Sequence, residues 1–353
     1  MKSIAEQVAD AALYEGYILY PYRPSSLKNR QRWNFGGICP RSYSEAQNGT
    51  ELWRSQMQML VSGSPDSALS VKLRFLHLVA REVVQIDHPV SDIAEGSDSD
   101  FRLVPSLKIG DRLFQTWQEA VEREVEVPEL ALQACQDAEV AFPFGFPASR
   151  SLEALRDKGQ IIGALIRTQQ QVHGGINISC ERIRDGLFRV TVAVSNLTDL
   201  PNAALARDQA MMHSLASSHL IVSIRDGEFI SLLDPPADFA DAARECRNIG
   251  LFPVLVGAEG ERTTMMASPV ILYDYPAIAP ESTGDLFDGT EIDEILSLRI
   301  LALTDAEKSE LRQSDERARR ILDRIEANPE QLIKLHGVVR SMASTQSQEG
   351  DGP

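Results

Sequence analysis

Cysteine, histidine and long apolar runs are what this chain has least of. Its 353 residues hold six histidines and four cysteines, Cys39, Cys135, Cys180 and Cys246. The cysteines stand at wide, unpatterned intervals with no Cys-x-x-Cys pair. Neighbouring thiols therefore cannot assemble a zinc site, an iron–sulfur cluster or a haem attachment. The closest histidines, His213 and His219, are six apart across an expected helix-to-strand junction and read as core or capping residues. No metal and no cofactor is expected. Thiols with no disulfide framework read as buried and reduced. The sequons at Asn48, Asn177 and Asn196 then read as chance matches. No stretch approaches the roughly 20 apolar residues that a membrane helix needs. The opening residues, interrupted by Glu6, Asp10 and Glu15, lack the apolar core and cleavage site of a secretory signal. The expected location is cytoplasmic.

Positive charge is also scarce. Thirty-five Lys and Arg face fifty-one Asp and Glu, a formal net charge of −16. Such a surface repels nucleic-acid phosphates and anionic lipid, which excludes general binding to either. Catalytic motifs are missing as well. There is no Gly-x-Ser-x-Gly elbow. The run Gly257-Ala-Glu-Gly260 lacks the Lys-Ser/Thr of a phosphate loop and reads as a turn. Cys246 has Arg244 and Arg247 beside it, a setting that can lower a thiol pKa, but a buried structural cysteine is the better reading. The acids Asp285, Asp288, Glu291, Asp293 and Glu294 do not follow a calcium-loop spacing. Three of them fall in the first turn after Thr290, where the helix dipole stabilises carboxylates.

What is present is an α+β pattern: an antiparallel β-sandwich core with a mixed N-terminal region and a helical C-terminal region. Residues 3–15 have helical spacing. Leu69, Val71, Leu73 and Phe75 alternate with polar neighbours at the strand period. Leu103–Ile109 and Arg112–Trp117 flank Gly110-Asp111 as a hairpin, and Gln118–Val125 reads as the start of a helix. The centre is clearest. Two period-2 runs, ending at Ile183 and starting at Phe188, flank Asp185-Gly186, a strong hairpin signal. The same reading applies to Asp226-Gly227 between Ile221–Ile224 and Phe229–Leu233. Helices are expected over Arg207–Ser217 and from Asp234-Pro235 to about Cys246, with strands at Phe252–Val256 and Met265–Tyr273. Beyond Pro280 the period becomes helical, with a capping box at Thr304–Glu307 and a further cap at Asn328-Pro329. The organisation is a mixed region over 1–140, a β-sandwich with inserted helices over 141–279, a helical region over 280–343 and a tail over 344–353.

The most unusual text lies between residues 17 and 54. Arg23, Lys28, Arg30, Arg32 and Arg41 are interleaved with Tyr20, Tyr22, Trp33 and Phe35, and no acid occurs between residues 21 and 44. Arg and aromatic residues anchor protein interfaces. Arg23, Lys28, Arg30, Arg32, Trp33 and Phe35 are the candidate partner-binding residues. The plainer alternative is an irregular segment whose arginines pair with acids of the same chain. The enzymatic alternative, a hydrolase, would need a site assembled from dispersed residues such as His219, Asp226, Asp274 or Asp285.

Four strings then carry a resemblance: LYEGYILYPYRPSSLKNRQRWNFGG at 13–37, LRFLHL at 73–78, WQEAVEREV at 117–125, and SPVILYDYPAIAPESTGDLFDGTEIDEIL at 268–296. Together they resemble a family of uncharacterised bacterial proteins associated with gene clusters for nickel–iron uptake hydrogenases, over about Ala11 to Val339. The resemblance implies a cytoplasmic accessory or maturation role and carries no catalytic residue. The chain is not the hydrogenase itself, because it lacks the cysteine pairs of the large subunit and the many cysteines of the small one. It also lacks the nucleotide loop and zinc cysteines of nickel-handling factors. An accessory protein without these works by binding, with the hydrogenase or its assembly machinery as the expected partner.

Overall fold

The computed structural model describes residues 3–13, 36–92, 101–110, 112–200, 202–276 and 303–314, together with residues 319, 322, 323, 326 and 327. One long strand organises it. Strand β1 (Arg54–Val90) runs for 37 residues, roughly 120 Å if it were straight. It is interrupted at the places where its sequence stops tolerating a flat ladder. Pro65 lies in an interruption between Gly63 and Ala68, and Pro89 lies in another between Gln85 and Val90. Proline cannot donate to a ladder, so within sheets it collects at such bulges.

The remaining strands attach to β1 in succession. They are β2 (Phe101–Val104), β3 (Ser106–Ile109), β4 (Arg112–Gln115), β5 (Trp117–Ala131), β6 (Val140–Phe146) and β7 (Ser149–Asp157). Next come β8 (Gln160–Gln169), β9 (Val172–Arg184), β10 (Leu187–Asn196), β11 (Ala216–Ile230), β12 (Phe252–Leu255) and β13 (Thr264–Ser268). Eleven strands form one antiparallel sheet, in which β12-β13-β11-β1-β10-β9-β6 is the main path. Strands β5, β8 and β2 pair with other stretches of β1, and β7 pairs with β8. The hairpin β3–β4 stands apart as a two-stranded sheet.

The sheet curls. Strand β6 is three positions from β1 along the ladder, about 14 Å if flat. Yet the Phe75 ring of β1 lies 6.3 Å from Phe144 and 5.7 Å from Phe146, both on β6. One apolar core fills the curl, with Met57, Met59, Val61 and Phe75 from β1, Ile176 and Ile178 from β9, Phe188 and Val190 from β10, and Val222 and Phe229 from β11. Each of its large side chains contributes on the order of 1.5–3 kcal/mol by leaving water.

The α-helices that lie wholly within the described residues are short. They are α1 (Ile4–Leu13), α2 (Arg41–Ala46), α3 (Leu132–Asp137), α4 (Arg207–Met211), α5 (Ala240–Arg244) and α6 (Asp305–Ser314). Helix α1 opens on a capping box: Ser3 N–H donates to Glu6 Oε2 at 3.0 Å, and Glu6 N–H to Ser3 Oγ at 3.2 Å. Its Val8 and Ala9 pack on Ile221, Val254, Val256 and Met266, on the outer face of the sheet. The box expected at Thr304 is present, with Thr304 N–H donating to Glu307 Oε2 at 2.6 Å. Among the described residues, no helix is long and apolar enough to cross a membrane.

Several sequence expectations need correction. Gln118–Val125 is part of β5, not a helix, because Glu122, Glu124 and Glu126 recur at period 2 opposite Leu76, Arg74 and Lys72 of β1. Asp226-Gly227 is not a hairpin turn. β11 runs straight through it, opposite the interruption that holds Pro65. Asp226 does take a positive φ of 57°, so the backbone chemistry read from the sequence is present but serves a bulge. Ser67 Oγ donates to the Asp226 carbonyl at 2.5 Å and bridges the gap. A side chain at Gly227 would meet Ile224 Cδ1 at 3.0 Å. The helices at Arg207 and after Asp234 are each a single turn or so, and Ala216 already belongs to β11. By contrast Asp185-Gly186 joins β9 to β10 as expected, with Gly186 at φ +73°. The helices expected from Thr290 and from Asn328 lie outside the described residues.

Candidate functional site

Beneath the N-terminal turn of α1 the outer face of the sheet forms an open cleft of about 460 Å³. Strand register builds it row by row. One row runs Glu126–Lys72–Ile221–Met266 across β5, β1, β11 and β13. The next runs Ser70–Ser223–Thr264, and in it the Ser223 and Thr264 hydroxyls share a hydrogen bond of 3.3 Å. Ser3 and Glu6 at the start of α1 also line it, as do Gly257 and Glu261. The Gly257–Gly260 run is a turn, as read from the sequence, closed by Glu261 N–H donating to the Ala258 carbonyl at 2.9 Å.

The charges of this region are matched to one another. Lys72 Nζ lies 3.1 Å from Glu126, 3.7 Å from Glu6 and 3.9 Å from Glu124. Burial pulls the lysine pKa down, but the hydrogen bond to Glu126 and the surrounding carboxylates outweigh it and hold the ammonium above its ordinary value. Two residues along, on the same face, Arg74 is 4% exposed. Its guanidinium lies 2.7 Å from Asp10 of α1, 2.8 Å from Glu124 and 3.4 Å from Glu122. The three period-2 glutamates of β5 thus serve two cations of β1, and Asp10 ties α1 to the same network.

Two of the histidines, His77 and His219, sit in the interior. His77 Nε2 hydrogen-bonds to the Gln170 carbonyl at 2.9 Å, among the rings of Phe75 and Phe146. Because a carbonyl only accepts, Nε2 carries the hydrogen. Burial, which outweighs this bond, lowers its pKa to about 4. His219, opposite Arg74 in the ladder, donates from Nδ1 to the Ser217 carbonyl at 3.1 Å and is likewise lowered by burial to about 4. His213 is shifted down by burial against a hydrogen bond to the Gln171 carbonyl. At neutral pH all three are uncharged; His219 is the core residue that its spacing suggested, and His213 is half-buried just past the end of α4.

Of the dispersed residues considered for a hydrolase, the three that are described, His219, Asp226 and Asp274, do not converge. His219 is fully buried, whereas the Asp226 carboxylate is exposed farther along β11 and pairs with Arg225 at 2.6 Å. Asp274 accepts from Ser231 Oγ at 2.5 Å and from Leu255 N–H at 2.8 Å, a bracket between the ends of β11 and β12. Asp285 and the acids Asp288, Glu291, Asp293 and Glu294 lie outside the described residues. So do Arg23, Lys28, Arg30, Arg32, Trp33 and Phe35. Cys246 is raised by burial, which outweighs its contact with Arg189, so it is not an activated thiol. Among the described residues, no group of three or more His, Cys, Asp or Glu is placed to hold a metal ion.

The cleft itself was not visible in the sequence. Lys72 and Arg74 are charged residues inside an otherwise apolar alternation, and that was the available signal. Their partners come from β5, about fifty positions later, and from α1, about sixty positions earlier. In comparisons with known proteins, no protein-family model matches the chain and no curated protein matches it.

Proposed function

We propose that this chain is an accessory protein of nickel–iron uptake hydrogenases, acting in the cytoplasm as a scaffold or maturation factor by binding a protein partner. The partner is the hydrogenase or its assembly machinery. In this reading the curled sheet acts as a β-sandwich core with a helical C-terminal region beyond it. The segment carrying Arg23, Lys28, Arg30, Arg32, Trp33 and Phe35 is the contact surface, and neither nucleic acid nor membrane is a partner. The hydrogenase context rests on the sequence resemblance.

What favours binding over catalysis is the state of the cleft. Its lysine is enclosed by three carboxylates that keep it protonated, so it is not poised as a nucleophile, which requires the neutral amine. Two of its hydroxyls bond to each other rather than to a general base. The buried histidines donate to backbone carbonyls and hold no nucleophile.

The test is affinity capture of the tagged full chain from cells producing a nickel–iron hydrogenase. The expected result is recovery of the hydrogenase or one of its maturation factors by the parent. Recovery should be lost by the Arg30→Ala, Arg32→Ala, Trp33→Ala triple variant, with its melting temperature unchanged. Arg and Trp truncations at a true interface typically cost upward of ~2 kcal/mol in binding. Capture of neither protein by the parent would overturn the assignment. A triple variant that melts lower but still recovers the hydrogenase normally would place those side chains in intrachain pairs instead.

A further inference from the structure

Strand β5 has a free edge. It pairs on one side with residues 68–81 of β1, and among the described residues no strand pairs with its other side. Of the described strands of the main sheet that pair on one side only, it is the longest, at 15 residues. The others, β2, β6, β7 and β12, have four, seven, nine and four, and Pro143 and Pro253 stand in β6 and β12. The ladder with β1 is regular over residues 117–127 and shifts only beyond them, next to Pro128. A regular edge of this length presents a row of main-chain N–H and C=O groups to which an extended peptide can add as a further strand.

The side chains along the edge define the peptide that fits. Glu122, Glu124 and Glu126 share one face, and on the β1 side they meet Arg74 and Lys72. The same two cations also hold Asp10 and Glu6. Five carboxylates thus surround two positive charges, which leaves negative charge in excess. The three glutamates stay 46%, 46% and 70% exposed, so they can accept further cations. On the opposite face of the strand Val121 is 40% exposed, apolar surface that an added strand would cover. A second copy of this chain does not fit. In a two-fold pairing of two β5 edges, glutamates come opposite glutamates, and like charges directly opposite destabilise.

We propose that the free edge of β5 takes up an extended basic segment of a partner protein as an added strand. Lys or Arg at every second position of that segment faces Glu122, Glu124 and Glu126. Apolar residues between them cover Val121, and main-chain hydrogen bonds hold the two strands together. The alternation follows from the strand period, which puts every second side chain on one face. Each added ion pair is exposed and contributes little by itself, so the ladder supplies much of the affinity and the glutamates select the sequence. This surface is separate from the segment at residues 23–35 and does not depend on the hydrogenase assignment.

The experiment titrates the full chain into a fluorescently labelled peptide, Lys-Val-Lys-Val-Lys-Val-Lys, capped at both ends, and reads anisotropy together with hydrogen exchange of the protein. The expected result is saturable binding that weakens with salt, with slowed exchange within residues 117–127. The same peptide methylated on every main-chain nitrogen keeps its charges but cannot form a ladder, and should bind at least about tenfold more weakly. Glu126→Gln should weaken binding of the parent peptide about twofold to fivefold. The peptide controls decide the matter even if that variant fails to fold. Equal binding of the methylated peptide would overturn the proposal, because it would reduce the effect to general attraction by a chain of net charge −16. No saturable binding, protection confined to β6, β7 or β12, or a dimer of this chain that the peptide dissociates would each overturn it as well.

Discussion

Acid should unfold this protein through its buried histidines, and His77 is the place to test it. In the folded state the His77 and His219 rings are fully buried and neutral, with pKa values lowered from 6.5 to about 4 by burial. The unfolded chain takes up a proton on each ring as pH falls below 6.5, whereas the folded chain does not until about pH 4. The unfolded state therefore binds more protons across that window, and stability rises with pH there. This contribution is complete above pH 6.5, is lost as pH falls toward 4, and is flat below. At roughly 1.4 kcal/mol for each tenfold change in proton affinity, each ring contributes about 3 kcal/mol over the whole window. About 2 kcal/mol of that falls between about pH 7 and about pH 5. Set against a typical total of ~5–15 kcal/mol, two such rings withdraw a substantial share of the stability by about pH 4. His77→Gln replaces the ring with a donor that can still reach the Gln170 carbonyl but does not titrate. Urea unfolding at several pH values should give a variant somewhat weaker than the parent at neutral pH, with a shallower slope. The gap between parent and variant should close by about 2 kcal/mol on going from about pH 7 to about pH 5. Parallel stability curves would refute the reasoning, because carboxylate titration is common to both proteins and cancels in the difference.

Three further outcomes follow from the same geometry. Gly186→Val should destabilise by roughly 1–3 kcal/mol, the cost of placing a β-branched residue at positive φ; space is not the obstacle, since its Cβ would meet only the Gly63 carbonyl at 3.8 Å, and a variant melting like the parent would show the turn to be misread. Arg74→Ala should cost about 2–3 kcal/mol, below the ~3–5 typical of breaking a buried pair, because Glu122 and Glu124 are nearly half exposed and can rehydrate. Hydrogen exchange should rise first in Ile4–Leu13, and unchanged protection there would show that Asp10 does not anchor α1. Protein purified without added metal should carry no stoichiometric zinc, iron or nickel by elemental analysis, and about one ion per chain would redirect attention to His219 or the acids near Asp285.

Local chemistry was legible in the sequence wherever a short stretch sufficed to determine it. The period-2 alternation around Ile178 and Val192 marks strands because only that spacing buries one face. Asp185-Gly186 marks a reversal, and Thr304–Glu307 marks a helix start. The acidic net charge and the absence of a metal-binding spacing were equally open to reading. What a positive φ does was not. Asp185-Gly186 and Asp226-Gly227 sit in near-identical strings, and one turns the chain while the other lets it pass an interruption in the neighbouring strand. The difference lies in β1, more than 150 positions away, where Ser67 reaches the Asp226 carbonyl. The same limit applies to Gln118–Val125, whose glutamates suit a helix until Lys72 and Arg74 pair with them across a ladder. The cleft and the anchored α1 belong to this class. Each joins residues that no local pattern relates, because an ion pair depends on distance in space, and the pairing of β5 with β1 and the seating of α1 on the sheet set that distance.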